Sequence, residues 1–213
     1  MDRWGIRKEH GMKAVMVAAV VAWVGAAGAA WQPEGGAKQP VVPQGHPQIP
    51  MPKVAENWPK AKPSDVESLE AIVKAFYEAP AGEAGTTRDW DRYLSLFVPD
   101  ARLIAARPGP EGAAGAMFLS AADYVEANRT YFEKGGFHDR EIARRTEAFG
   151  NIVHVWSTYE SRRKAGDPKP YIRGINSMQI LKDGGRYWIV NVFWEYEKPD
   201  VALPERYTTS PAE

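Results

Sequence analysis

The order of segments along this chain predicts an α+β fold in which helices come first and antiparallel strands follow. Two observations carry that expectation. Between residues 64 and 134, apolar side chains recur at helical spacing in three separate stretches. From Phe137 onward, four runs rich in β-branched and aromatic residues are separated by short glycine-containing turns. Helices and strands that segregate in this way pack as α+β, because strands that do not alternate with helices pair through hairpins.

Each element has a local reason. Ser64 with Glu67 three residues later reads as a capping box opening the first helix. Val66, Leu69, Ile72, Val73, Phe76 and Tyr77 then form its apolar stripe, and Ala79-Pro80-Ala81-Gly82 ends it. A second helix is expected over residues 87–97, with Trp90, Leu94 and Phe97 on one face. Pro99-Asp100 breaks it, and 101–105 reads as a short strand. Residues 107–116 are rich in Gly, Pro and Ala and read as a loop. Ser120 with Asp123 starts a third helix running to about Lys134, and Gly135-Gly136 stops it. Residues 137–148 and 152–162 flank Phe149-Gly150-Asn151, and residues 171–181 and 186–196 flank Lys182-Asp183-Gly184-Gly185. These are two hairpin signals in succession.

The flanks are of another kind. Residues 1–30 carry Arg3, Arg7, Lys8 and Lys13, then the apolar run from Ala14 to Val24, then small residues ending Ala27-Gly28-Ala29-Ala30. That is the layout of a secretory signal peptide, and predicts a secreted or periplasmic protein. The alternative is an uncleaved anchor, although the apolar run is about half the roughly 20 residues a spanning helix needs. After cleavage no membrane span is expected. Residues 31–63 hold eight of the 17 prolines and show no apolar periodicity, which predicts an extended linker. The folded domain is placed at 64–200 and a tail at 201–213.

Composition excludes several function classes. The 213 residues include 27 basic and 27 acidic side chains and no cysteine. A balanced charge argues against nucleic-acid binding. Zero Cys removes disulfides, thiolate metal sites and a cysteine nucleophile. Removing residues 1–30 takes away four basic and two acidic groups, leaving 23 against 25 and a slightly acidic domain. His138 and His154 sit on different expected strands, so no metal and no cofactor are expected. No serine carries an elbow motif for nucleophilic catalysis.

Three stretches resemble a known family. Trp90-Asp91-Arg92-Tyr93-Leu94-Ser95-Leu96-Phe97-Val98-Pro99-Asp100-Ala101 is similar to the second helix and following strand of the nuclear transport factor 2-like superfamily, in its SnoaL-like and ketosteroid-isomerase-like bacterial branch. Residues 150–159, from Gly150 to Tyr159, resemble that family's central hairpin, and Asp183 to Val190 its last one. The resemblance covers roughly residues 65–197. It implies three helices packed in a curved antiparallel sheet that forms a cone around an apolar pocket. It also implies a homodimer joined sheet to sheet. The family includes isomerases, dehydratases, cyclases and proteins with no demonstrated reaction, so the fold alone selects no activity.

Strand alternation sorts side chains into two faces. On the assumed turn register, Asn176, Asn191, Phe193 and Glu195 share a face with Tyr187 and Ile189, and the family pattern turns that face toward the helices. Trp188, Val190, Val192 and Trp194 lie on the other face, whose apolar character predicts a second cover, either a second subunit or the chain's own flanks. A slip of one residue would move these sets. In the first hairpin, Arg140, Ile142, Arg144, Ser157 and Tyr159 share a face. Arg144 would then enter the cavity paired with a carboxylate or an anionic ligand, or pair at the sheet edge.

Proton abstraction in an apolar cone needs a desolvated base and a donor for the developing oxyanion. Glu195 and Asp91 are the candidate carboxylates, with Tyr159 beside them. Tyr77, Trp90, Tyr93, Arg144, Asn176, Asn191 and Phe193 are the candidate ligand contacts. No Asp falls mid-strand in the meander, where an isomerase-like base is expected. Three readings stay open: a binding domain for a small apolar molecule, a metal-free isomerase or lyase using a pocket carboxylate, and a dimeric interaction module.

Overall fold

A computed structural model describes residues 57–109 and 113–210. The expected leader and most of the proline-rich segment lie outside the described residues. Trp58, near the end of that segment, packs on the core, and its indole Nε1 donates to the Phe97 carbonyl at 3.0 Å.

Among the described residues, four α-helices and six strands form the α+β domain. The helices are α1 (Pro63–Val66), α2 (Leu69–Glu78), α3 (Trp90–Leu94) and α4 (Ala121–Gly135). The strands are β1 (Phe97–Pro108), β2 (Ala114–Ser120), β3 (His138–Phe149), β4 (Ile152–Arg162), β5 (Ile172–Asp183) and β6 (Arg186–Tyr196). They form one curved sheet in the order β2-β1-β6-β5-β4-β3. The meander β3 to β6 is antiparallel, as its hairpin turns predict. However, β1 runs parallel to β6, so the sheet is mixed rather than wholly antiparallel.

Local chemistry explains the helix ends. The first expected helix is two helices. Ser68 is extended, at φ −139° and ψ 165°, and its side chain accepts from Ala71 N at 3.0 Å, so Ser68 caps α2. The Ser64 capping box does not form. Instead α1 begins at Pro63, whose fixed φ and missing N–H suit a first helical position. Asp89 accepts from Arg92 N at 2.9 Å and starts α3, which is shorter than expected. Phe97 already belongs to β1. Ser120 accepts from Asp123 N at 3.0 Å and caps α4, as expected.

The expected loop over 107–116 is shorter at both ends, because β1 takes 107–108 and β2 takes 114–116. The start of β2 is small and weakly patterned, but Met117, Phe118 and Leu119 pair with Ala105, Ile104 and Leu103 of a β1 more than twice as long as predicted. Non-local pairing supplies what local propensity lacks.

Two bulges set which side chains face the helices. In β3 the register shifts between Glu141 and Ala143, leaving Ile142 as the extra residue. In β6, Ile189 opposes Ile180 and Asn191 opposes Gln179, leaving Val190 extra. One added residue reverses alternation beyond it. Ile189 and Val192 are therefore both buried on the helix side, and Trp194 follows them there. The core between helices and inner sheet face is strongly aromatic. Phe76, Tyr93 and Phe97 meet at centroid distances of 5.0–6.3 Å, and Trp90 and Phe137 both stack on Phe132.

Arg88 closes the segment between α2 and α3. It is almost wholly buried, and its guanidinium donates to the carbonyls of Pro80, Gly82, Glu83 and Phe132 at 2.6–3.1 Å. A Cβ on Gly82 would sit 2.7 Å from that guanidinium, so a side chain there would push Arg88 off its carbonyl partners.

Candidate functional site: an aromatic cavity around Asp139

The inner sheet face and the helices enclose a cavity. A narrow recess of about 50 Å³ is lined by Phe76, Tyr93, Leu103, Asn176 and Val192. Four residues, Tyr124, Asp139, Tyr159 and Trp194, line both this recess and a wider chamber of about 400 Å³. The chamber continues past Tyr131 and Tyr171 toward β2 and the end of α4. At this rim the Arg163 guanidinium lies 4.6 Å from the Tyr131 ring centre and 4.4 Å from that of Tyr171. It also bonds the Tyr131 hydroxyl, which ties α4 to the start of β5.

The bulge at Ile142 puts Asp139 and Glu141 on the inner face, opposite Ser161 and Tyr159. Asp139 Oδ1 is buried and has no hydrogen-bond partner among the described residues. Burial among aromatic rings pushes its carboxyl up to about 7, against a smaller opposing effect from the Ser161 hydroxyl. The surrounding phenols of Tyr93, Tyr124 and Tyr159 are also raised by burial, and Tyr171 is raised to about 12. At neutral pH they remain hydroxyl donors.

Space for the Tyr159 ring comes from its cross-strand partner, Gly174. A Cβ there would lie 2.8 Å from the Tyr159 hydroxyl and 2.5 Å from the Glu195 carbonyl oxygen.

A polar chain runs from the recess to the surface. Asn176 Nδ2 donates to the Tyr77 hydroxyl at 2.9 Å, and Tyr77 and Ser157 share a bond of 2.6 Å. Ser157 donates to Glu141 Oε1 at 2.5 Å. Arg144 donates to both Glu141 oxygens at 2.6–3.0 Å and lies 3.9 Å from Glu70 of α2.

The sequence-predicted residues divide accordingly. Tyr77, Tyr93, Tyr159 and Asn176 line the cavity or bond its floor. Arg144 pairs with Glu141, the carboxylate that its burial required. Glu195 does not face the cavity: it is exposed on the outer face and pairs with Lys198 at 2.5 Å. The bulge at Val190 likewise puts Asn191 and Phe193 on the outer face, opposite Gln179 and Ser177. Asp91 is exposed in the first turn of α3. Trp90 is buried, donates to Glu133 at 2.9 Å and stacks on Phe132 outside the cavity. Trp194, expected on the outer face, meets Tyr124 edge-on at 5.9 Å inside. Asp139, Tyr124 and Trp194 escaped the sequence reading. For Asp139 no local signal exists, because residues 138–141 are all charged or polar and the bulge is set by pairing.

Comparison with known proteins gives fold neighbours only. No family model matches the chain, and no curated protein matches it. Solved structures similar to it are NTF2-like, cystatin-like and ketosteroid-isomerase-like proteins. A protein of unknown function with a cystatin-like fold from Nostoc punctiforme has TM-score 0.46 and 14% identity, covering 62% of this chain and 90% of that one. An NTF2-like protein of unknown function from Silicibacter pomeroyi has TM-score 0.42 and 16% identity, covering 61% and 92%. A putative ketosteroid isomerase from Kribbella flavida has TM-score 0.36 and 18% identity, covering 67% and 87%. At such similarity these neighbours assign no chemistry.

Proposed function

We propose that this domain binds a small, largely apolar ring molecule in the cavity and exchanges a proton with it through Asp139. One observation carries this reading: a recessed carboxyl with an unpartnered oxygen, held near neutrality by burial among aromatic rings. A base poised near the working pH is the requirement for general acid–base catalysis. In the ionised state Asp139 takes a proton from carbon beside a ligand carbonyl. The C–H electron pair moves toward the carbonyl oxygen, and the hydroxyls of Tyr124 and Tyr159 can donate to the enolate that forms. Return of the proton from Asp139 to another carbon isomerises the molecule; its delivery instead to a β-hydroxyl, which leaves as water while the enolate electrons form the new C=C bond, dehydrates it. Asp139 thus replaces Glu195 and Asp91 as the candidate carboxylate.

The test is α-hydrogen exchange of 2-tetralone in D₂O, followed by proton NMR. Wild-type protein is expected to accelerate exchange with an apparent pKa about 7, and Asp139→Asn to lower the rate by at least about 100-fold. Equal rates for the two proteins would remove the catalytic reading and leave only binding.

Export is part of the same proposal, supported by the charged, apolar and small-residue order of residues 1–30. Recovery of the full chain solely in the cytosolic fraction of an expressing cell would refute it.

A further inference from the structure

The polar chain behind the cavity has a fixed direction, and that direction constrains the ligand. Proton counting settles it. Glu141 takes two N–H groups from Arg144 and so offers only acceptors to Ser157. The single Ser157 proton goes to Glu141, and its oxygen must therefore accept from Tyr77. Burial raises Tyr77 far above its ordinary value, so the phenol keeps its proton and spends it on Ser157. The Tyr77 oxygen is then free to accept, and only the amide nitrogen of Asn176 can donate to it. The amide is thereby pinned with Nδ2 toward Tyr77. Its Oδ1 accepts from none of the described residues, while Asn176 itself lines the recess.

We propose that Asn176 Oδ1 is a dedicated acceptor at the cavity floor, so that the natural ligand carries a hydroxyl or N–H at the end that enters the recess. Tyr77, Ser157, Glu141 and Arg144 are positioning residues that stop the amide from turning over. The inference rests on the reading that the cavity binds a small molecule. It adds a polarity requirement at the end of the ligand that enters the recess. A recess of about 50 Å³ admits little more than such a group, with the ring system left among Tyr124, Tyr159 and Trp194.

The probe pair is 2-naphthol and 2-methoxynaphthalene, titrated by fluorescence into the full chain. Wild-type protein is expected to prefer 2-naphthol by about tenfold, the value of one buried hydrogen bond. Asn176→Leu is expected to abolish the preference while keeping affinity for 2-methoxynaphthalene. Tyr77→Phe leaves the ring packing in place but frees the amide, and is expected to shrink the preference to about twofold. That ratio is a readout that a purely structural role of Tyr77 would not move. Wild-type binding of both probes with equal affinity overturns the acceptor assignment and leaves the pocket reading intact, as does a preference that survives in Asn176→Leu. Failure of both probes to bind overturns the pocket reading and this inference with it.

Discussion

Asp139 owes its character to one extra residue in β3. Counting alternation from Arg144 toward the start of the strand predicts Ile142 and Arg140 inside. The bulge at Ile142 substitutes Glu141 and Asp139. Glu141 is then matched by Arg144, whereas Asp139 has no ion-pair partner, and its Oδ1 no hydrogen-bond partner, among the described residues. The two carboxylates thus diverge, one tied to a surface network and one isolated. Isolation has a thermodynamic sign. Burial raises the folded-state value to about 7, above the usual Asp value of 3.8 in the unfolded chain. The folded state binds the proton more tightly, so its contribution to stability is full below about pH 4 and is lost as pH rises through 7. Asp139→Asn is therefore expected to come close to wild type in thermal stability at pH 4 and to exceed it at pH 8 by about 4 kcal/mol, on the order of 10 °C. Calorimetry at the two pH values checks this, and a variant less stable than wild type at pH 8 would contradict it.

Elements whose signals are local were legible in the sequence. Ser120 caps α4 as its spacing to Asp123 requires. Gly150 takes φ 58° in the β3–β4 turn, a conformation that suits glycine. What escaped prediction depends on partners distant in sequence. β2 exists because β1 is there to pair with it, and the two bulges exist because neighbouring strands fix the register. Without the bulges, alternation puts Glu195, Asn191 and Phe193 on the wrong face and turns Asp139 and Trp194 away from the cavity. The segment between α2 and α3 is a further case. Arg88 reads as one more charged residue, yet it donates to five carbonyls at once, that of Thr86 being the fifth. Replacing it with Met removes every donor and is expected to cost about 3 kcal/mol or more. Lysine is expected to recover little, since a single ammonium cannot reproduce the planar fork. Urea denaturation of the two variants measures this, and near-wild-type stability of Arg88→Lys would refute the fork argument.

For the whole domain, the outer sheet face has its own partial cover. The tail crosses it: the Thr158 hydroxyl donates to the Tyr207 carbonyl at 2.5 Å, Arg145 to that of Arg206 at 2.6 Å, and Trp156 meets the Tyr207 ring at 5.5 Å. Beyond the tail, Phe193 and Val190 remain 45% and 39% exposed. We propose that this remaining patch joins two copies of the chain. The Trp194 ring packs edge-on against Tyr124 in the cavity, so Phe193 and Val190 are the exposed apolar side chains that this contact would bury. Sedimentation at micromolar concentration is expected to show a dimer that Phe193→Glu dissociates, and a wild-type monomer would end that proposal. In the interior, the Asp139 carboxyl sits in an aromatic cavity with no cationic partner among the described residues, and that isolation sets its titration. Carbon-13 NMR titration of the Asp139 carboxyl tests it most directly. A midpoint about 7 that moves when 2-naphthol is added is the predicted result; a midpoint near 4, unchanged by the probe, would contradict it.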